Sequence, residues 1–425
     1  MDLVLPKSSL VVLIGVSGAG KSTFAARHFR PTEVLSSDRF RALLSDDEND
    51  QNVTADAFDV LHYIAGKRLA AGRLTVVDAT NVKAEDRAAL VALAKQHHLP
   101  AVAIVLDLPQ RLIQQRTAER QDRDLGPDVT RRQADHLRRT LPELDCEGFS
   151  RIHLLHSPEE VDRARVVREP LPSDLRERTG PFDVIGDVHG CRPELESLLG
   201  ELGYSLVRDA DGRAVDAMPP AGRTAVFAGD LVDRGPDTPG VLRLAMGMVA
   251  AGHALVVSGN HEYKLIRALD GGKVKLTHGL EKTMSQLGEW DEKFRAEVRD
   301  FCAGMVDHYV LDGGNLVVAH AGLPEPYHGR TGGRVRSFAL YGDTTGERDE
   351  YGLPIRLPWQ NDYRGEATVL YGHTPAREHE WTNNTLCLDT GCVFGGRLTA
   401  LRYPERELVS VPAEQTYHEP KRPFG

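Results

Sequence analysis

Twice along this chain, short runs of branched apolar residues alternate with segments whose apolar positions recur at helical spacing, and few folds accept that pattern. Between Leu10 and Leu155 the runs are Leu10 to Ile14, Leu74 to Val77 and Ala101 to Leu106, separated by helix-period segments such as Ala55 to Leu69 and Glu85 to Ala94. Strands joined through helices pair in parallel, so the expectation is an α/β fold whose N-terminal half is a parallel sheet with flanking helices. A second series opens at Phe182-Asp183-Val184-Ile185 and continues through Thr224 to Phe227, Ala254 to Val257, Leu316 to Ala319 and Val369 to Tyr371. Strands near Leu386 and Leu398 follow with little helix between them, and Gly- and Arg-rich stretches, above all Pro324 to Gly365, read as long substrate-shaping loops. From Ser157 to Pro181 the pattern dissolves into charged residues with Pro158, Pro170, Pro172 and Pro181, which reads as a linker. The expected organisation is therefore a first domain over 1–156, a linker over 157–181, a second domain over 182–411 and a tail over 412–425.

A chain of 425 residues is too long for one ordinary core, and its 41% hydrophobic and 27% charged residues exclude a mainly disordered or fibrous protein. No basic region precedes Leu10 to Val16, which is far shorter than a bilayer span, so the expectation is a cytoplasmic protein with no membrane partner. Five scattered cysteines without CxxC spacing fit reduced thiols. A net charge of −10 argues against a broad electrostatic footprint for duplex nucleic acid, so acidic substrates must be held locally.

Gly15-Val16-Ser17-Gly18-Ala19-Gly20-Lys21-Ser22 has the spacing of a Walker A loop, directly after an apolar strand and before a helical segment. Gly15, Ser17, Gly18, Ala19, Gly20, Lys21, Ser22 and Thr23 are the expected nucleotide-binding positions. Backbone N–H groups close around phosphates, Lys21 offsets charge on the β and γ oxygens, and Ser22 ligates magnesium, which makes ATP and Mg2+ the expected cofactors. On the acceptor side, Asp38 follows the short run Val34 to Ser36 and has the chemistry of a general base, with Arg41 to fix it or an acceptor phosphate. Read alone, Asp38 is equally a helix N-cap, and Asp78 is either a carboxylate near magnesium or a turn residue. Between Arg111 and Arg139 eight arginines stand among five acids. Arg116, Arg120 and Arg123 fall at i, i+4 and i+7 of an expected helix, one face of which would serve as a lid over a migrating phosphoryl group, against the alternative of a solvated face.

These features resemble the polynucleotide 5′-kinase branch of P-loop phosphotransferases over about residues 8–155. That resemblance implies Asp38 as base, Arg41 as its acceptor-side partner and Arg116, Arg120 and Arg123 as the lid.

The second half carries Gly186-Asp187-Val188-His189-Gly190, then Gly229-Asp230-Leu231-Val232-Asp233-Arg234-Gly235, then Gly259-Asn260-His261-Glu262, and later His320 and His373, each of these two just after an apolar run. Carboxylate, imidazole and amide oxygen at successive strand ends form a ligand set for two divalent metals such as Mn2+. The motifs resemble the calcineurin-like metallophosphoesterases over about 182–405, an α/β sandwich. By that resemblance one metal takes Asp187, His189 and Asp230, and Asp230 bridges to a second that adds Asn260, His320 and His373. Arg234 would clamp phosphate oxygens, and His261, oriented by Asp233, would protonate the leaving group.

Leu340-Tyr341-Gly342-Asp343-Thr344-Thr345-Gly346, Gly352-Leu353-Pro354, and Asp389 in Leu388-Asp389-Thr390-Gly391-Cys392 extend the likeness. Together they look like bacterial polynucleotide kinase-phosphatase of the RNA repair type, with Asp389 among its catalytic residues. No Lys-x-Asp-Gly adenylation motif occurs, so ligation is not expected of this chain, and a separate ligase module or repair protein is an expected partner if the chain is a fragment. The resemblance implies RNA end healing: phosphorylation of 5′-OH ends with ATP, and removal of 2′,3′-cyclic, 2′- or 3′-phosphates, with RNA or DNA ends as partners and a homodimer as an admissible state. The alternatives are a small-molecule kinase fused to a dinucleoside polyphosphate hydrolase or protein phosphatase, and a non-enzymatic RNA-binding module switched by nucleotide.

Overall fold

The first two strands, β1 (Asp2–Pro6) and β2 (Leu10–Ile14), enter different sheets. All five residues of β2 are buried, so it takes the central place in a parallel sheet covered on both faces. A computed structural model describes residues 1–119 and 127–422 of the chain and divides it into two units, Met1–Leu171 and Pro172–Gly425.

In the first unit β3 (Val34–Ser36), β4 (Thr75–Asp78), β5 (Ala101–Leu106) and β6 (Arg151–Leu155) join β2 in the order β3-β4-β2-β5-β6, every pair parallel. The crossovers are α1 (Lys21–His28), α2 (Ser37–Ser45), α3 (Thr54–Ala70), α4 (Ala84–Gln96), α5 (Gln110–Glu119) and α6 (Pro127–Thr140). Buried Leu61, Leu69, Leu90 and Val91 bring α3 and α4 into one core with Val12, Val76 and Ile104.

Arg87 of α4 lies wholly inside this unit, giving Nε and Nη2 to Glu147 at 2.7 and 2.5 Å and Nη1 to the Asn81 carbonyl at 3.0 Å.

Residues 157–181, expected as a linker, instead carry regular structure. Ser157 caps α7 (Pro158–Arg163) with Pro158 in its first turn, where a missing N–H costs nothing. Strand β7 (Arg165–Glu169) pairs residue for residue with β1, and β8 (Asp174–Leu175) pairs in the second unit. The prolines punctuate short edge elements, and their charge is that of exposed edges.

In the second unit β9 (Phe182–Ile185) is followed by a hairpin, β10 (Ser205–Arg208) and β11 (Ala214–Met218), then β12 (Thr224–Phe227) and β13 (Ala254–Val256). After these come β14 (His308–Leu311), β15 (Leu316–Ala319), a second hairpin of β16 (Thr344–Arg348) and β17 (Pro354–Arg356), then β18 (Thr368–Tyr371), β19 (Thr385–Cys387), β20 (Arg397–Tyr403) and β21 (Glu407–Pro412). They build two five-stranded sheets, β13-β12-β9-β20-β21 and β19-β18-β15-β14-β8. Val184, Val226 and Leu255 of one meet Val318, Leu370 and Leu386 of the other, so the sheets pack face to face. Ile185 and Phe227, one residue along, point to the opposite face and meet α8 (Arg192–Glu201), α9 (Thr238–Ala250), α10 (Asn260–Leu269), α11 (Leu280–Gly288) and α12 (Glu292–Gly304). The outer face of the second sheet packs Val317 and Val369 against Val335 and Ala339 of α13 (Gly333–Tyr341).

Two further expectations change. Pro324 to Gly365 is not a bare loop, since it holds α13 and the β16–β17 hairpin. The stretch expected as a tail is tied down over its described part at Glu414, whose N–H donates to Glu194 at 2.9 Å, and at Tyr417, whose hydroxyl donates to the same oxygen at 2.9 Å. All five cysteines are free. No helix among the described residues is long and apolar enough to cross a membrane.

Replacing Arg87 by Ala leaves Glu147 half-enclosed without its partner, and removal of one member of such a pair costs about 3–5 kcal/mol. Urea unfolding of Arg87→Ala is expected to lower the stability of the first unit by about that amount; an unchanged midpoint would contradict it.

Candidate functional site

Two sets of three parallel strands, one in each sheet of the second unit, each deliver a polar residue within a few positions of their carboxyl ends: β9 gives Asp187, β12 Asp230, β13 Asn260, β15 His320, β18 His373 and β19 Asp389. Open α/β sheets bind ligands at such ends because the loops there converge while the strands hold them rigid.

Asp230 stands at the meeting point. Its Oδ2 lies 3.6 Å from His189 Nε2, 3.3 Å from His320 Nε2 and 3.9 Å from His261 Nε2. His320 Nε2 is also 3.1 Å from Asn260 Oδ1 and 2.9 Å from His373 Nδ1. Two groups of ligand atoms follow, His189 with Asp230 and His261, and Asp230 with His320 and His373, each gathered within 4.8 Å. Asp187 accepts the His373 N–H at 3.0 Å on Oδ2, while its Oδ1 is buried without a hydrogen-bond partner, as is Nε2 of His373.

Backbone carbonyls set the tautomers. Nδ1 of His189 faces Val232 O at 2.8 Å and Nδ1 of His320 faces Ala228 O at 3.0 Å, so each Nδ1 carries the proton and each Nε2 offers a lone pair. Burial, then the Arg234 charge, holds His189 well below the usual imidazole range. For His320 burial alone would act the same way, but Asp230 and Glu262 outweigh it and raise it. Burial, reinforced by Asp389 and Asp230, pushes Asp187 well up, and burial with Asp230 beside it pushes Asp389 up to about 6. Carboxylates crowded in this way, clustered imidazoles and unpartnered buried polar atoms form a donor set that divalent cations fit, and calcineurin-like phosphoesterases imply such cations.

The loops pay for this convergence in backbone strain. His189, Asp230, Asp233, Arg234 and His373 all have positive φ, between 47° and 75°, five of the twelve such non-glycine residues among those described. Close approach also demands glycine at 372, where an added Cβ would lie 1.8 Å from Asp187 Oδ1.

Arg234 donates from Nη1 to His189 Nε2 at 2.6 Å and from Nη2 to His261 Nε2 at 2.9 Å, and its guanidinium lies 5.3 Å from the Phe394 ring. His261 Nδ1 donates to Asp233 Oδ2 at 2.5 Å, and the other Asp233 oxygen accepts from Thr283 at 2.7 Å. Sequence reasoning assigned no role to Glu262 or Thr283. Glu262, fully buried, accepts the amides of Asp230, Leu231, Val232 and Gly259 at 2.7–3.2 Å, so it holds two motif loops together. Its place inside the Asn260-His261-Glu262 run was the available signal; Thr283 had none.

In the first unit the loop from Gly15 to Ser22 opens into a cavity of about 1040 Å³ that also meets Asp38, Arg41, Asp78 and Arg116. Gly18 and Gly20 have φ of 84° and 94°, and Lys21 Nζ donates to the Gly15 and Val16 carbonyls at 2.8 and 3.0 Å. Ser36 caps α2, not Asp38, so the Asp38 carboxylate is left to pair with Arg41, whose Nε donates to the Glu48 carbonyl at 2.8 Å. Asp78 lies beside Lys21 and the Ser22 hydroxyl; burial pushes its carboxyl up and those two groups oppose it. Arg116 reaches the Ala19 carbonyl at 3.5 Å, whereas Arg120 and Arg123 lie outside the described residues. Gln133 of α6, which no pattern marked, accepts the Ser17 N–H at 2.8 Å.

Residues 180–403, more than half of the chain, match the family model for calcineurin-like phosphoesterases, and residues 10–144 match one described as an AAA domain. The chain belongs to the calcineurin-like phosphoesterase family, here joined to a kinase-like nucleotide-binding unit. It is 44% identical over 248 residues to the asymmetrical bis(5′-nucleosyl)-tetraphosphatase PrpE of Anoxybacillus flavithermus, covering 57% of this chain and 99% of that protein. Against the PrpE proteins of Halalkalibacterium halodurans and Bacillus subtilis the identities are 44% and 43%, over 55% and 56% of this chain and 94% and 97% of theirs.

Loss of a residue that orients metal-binding loops typically lowers metal affinity by about 10- to 100-fold. Glu262→Ala is expected to weaken Mn2+ binding by that factor in calorimetric titration, although Glu262 touches no ion; unchanged affinity would contradict its role.

Proposed function

We propose that this chain is a two-reaction nucleotide-phosphate enzyme, its second unit hydrolysing phosphate linkages on nucleotides with divalent metals and its first transferring phosphoryl groups from ATP. The observation that carries it is one connected cluster of Asp187, His189, Asp230, Asn260, His320 and His373, beside a guanidinium and an oriented imidazole. For the substrate of hydrolysis, a dinucleoside polyphosphate is the reading favoured by relatives 44% identical along almost their whole length.

Asp187, His189 and Asp230 would hold one cation, and Asp230, Asn260, His320 and His373 a second. Such a pair lowers the pKa of water and neutralises charge at the reacting phosphorus. Arg234, poised between His189 and His261, clamps the non-bridging phosphate oxygens. Asp233 keeps the proton on Nδ1 of His261, so Nε2 is the atom through which a proton reaches the leaving oxygen. Asp389 stands with Asp187 and fixes the local charge. In the first unit Lys21 and the loop amides hold the ATP phosphates, Ser22 and Asp78 take the Mg2+ side, Arg116 covers the loop, and Asp38, held by Arg41, receives the acceptor proton.

A second reading, RNA end healing, is favoured by that acceptor side. The relatives match 57% of this chain or less, and a carboxylate–guanidinium pair facing the phosphate loop in the same chain accounts for a kinase that prepares 5′-OH ends while the hydrolase clears 2′- or 3′-phosphates.

The test incubates the chain with Mn2+ and diadenosine tetraphosphate, and in parallel with ATP, Mg2+ and an RNA bearing 5′-OH and 3′-phosphate ends. Cleavage of the first substrate with untouched RNA supports the first reading, altered RNA ends the second, and inertness toward both overturns the proposal. Lys21→Ala or Asp38→Ala is expected to lower phosphoryl transfer about a hundredfold or more and spare hydrolysis, with the reverse for His189→Ala or Asp230→Ala. Loss of both activities from either change would contradict two separate sites.

A further inference from the structure

Beside the metal-ligand cluster the second unit has a cavity of about 590 Å³ that the phosphate chemistry does not use. Pockets for small ligands commonly fall between about 300 and 1,000 Å³. Four aromatic side chains line it: Tyr327, Phe338, Trp359 and Tyr363. Their rings stand edge to face, Phe338 and Tyr363 each 6.0 Å from Trp359, and Tyr327 5.9 Å from Phe338. Arg334 and Asp343 add a cation and an acceptor. The Arg334 side chain is exposed and its guanidinium makes no hydrogen bond or ion pair among the described residues, unlike that of Arg364, which is spent on the carbonyls of Asn361 and Tyr363.

Position gives this cavity its meaning. Its walls come from the insertion between β15, which leads to His320, and β18, which leads to His373. Trp359 packs on Gly322 so closely that an added Cβ there would meet its ring at 2.0 Å, and it lies 5.4 Å from the Tyr371 ring, two residues before His373. Gly342 and Leu357, both in the lining, follow Tyr341 and Arg356 directly in sequence. Arg356 donates to the Tyr341 carbonyl at 2.7 Å. The cavity is therefore built on the insertion between two ligand-bearing strands, with Trp359 packed on residues two positions from His320 and from His373.

We propose that this cavity is a nucleoside subsite, in which the base of the nucleotide carrying the scissile phosphate lies among Trp359, Tyr327 and Phe338 while Arg334 draws in a flanking phosphate. Every base has a π face that stacks on aromatic rings, and a guanidinium suits phosphate oxygens. The inference rests on the hydrolase reading above and adds to it a requirement for a nucleoside. A dinucleotide and an RNA 3′ end both present that chemistry.

The experiment uses the full chain with Mn2+ and compares kcat/KM on p-nitrophenyl phosphate, which has no base, with that on adenosine 3′-monophosphate, diadenosine tetraphosphate and a 3′-phosphorylated RNA. Trp359→Ala, and separately Arg334→Ala at the exposed rim, are expected to lower the ratio of nucleotide to p-nitrophenyl phosphate activity about tenfold, the scale of one lost stacking or phosphate contact. The substrate with the larger drop identifies the source of the nucleoside. A second readout needs no metal. All three tryptophans, Trp290, Trp359 and Trp381, belong to the second unit, so a saturable change in tryptophan emission on adding adenosine 3′-monophosphate in EDTA reports on that unit alone, and Trp359→Phe is expected to remove it. An unchanged activity ratio in Arg334→Ala, equal loss on all substrates in both variants, or no emission change would overturn the subsite. Failure of the unaltered chain on every substrate would overturn the hydrolase reading itself.

Discussion

A single buried carboxylate, Asp230, organises the second unit. It sits within 4 Å of three imidazoles, and its neighbours Asp187, Asp389 and Glu262 are buried with it. Like charges at such depth repel unless cations or donors compensate, and the structure supplies donors for only part of the set. Glu262 takes four amides, and Asp233 takes a hydroxyl and an imidazole. Asp187 keeps an oxygen with no hydrogen-bond partner, pushed toward protonation by burial and by its neighbours. Strained φ values at five motif residues are the backbone counterpart of that crowding, maintained because two packed sheets over-determine the loops.

The same logic runs more gently in the first unit. There the concentrated groups are backbone amides around Gly18 and Gly20, and the residues facing them come from the ends of β3 and β4 and from α5 and α6. Asp38 and Arg41 are one turn apart on α2, which fixes their pairing without any long-range contact. Gln133 reaches the loop from far along the chain, and only the fold brings it there.

Much of this was legible in the sequence because strand ends leave a strong local mark: an apolar run followed at once by glycine and a polar residue. That signature located β9, β12 and β18 and the residues beyond them, while the phosphate-loop glycines marked the end of β2 and His320 followed β15 directly. Legibility failed where a residue's role depends on distant partners. Glu262 stood in its motif without a role until its oxygens met the amides of another loop, and Arg356 lies in a hairpin whose position follows from packing. Residues 157–181 misled for a different reason, since short edge elements are charged and proline-flanked whether or not they are ordered. The stretch from Pro324 to Gly365 misled likewise, its glycines bounding α13 and the hairpin turn instead of marking a loop throughout.

The most direct measurement is the Mn2+ stoichiometry of the chain and of Asp230→Asn, a nearly isosteric change that removes the shared charge. Calorimetric titration should give two ions per unaltered chain, with both sites weakened together in the variant because one carboxylate serves each. Two full-affinity sites in Asp230→Asn, or none in the unaltered protein, would contradict the account.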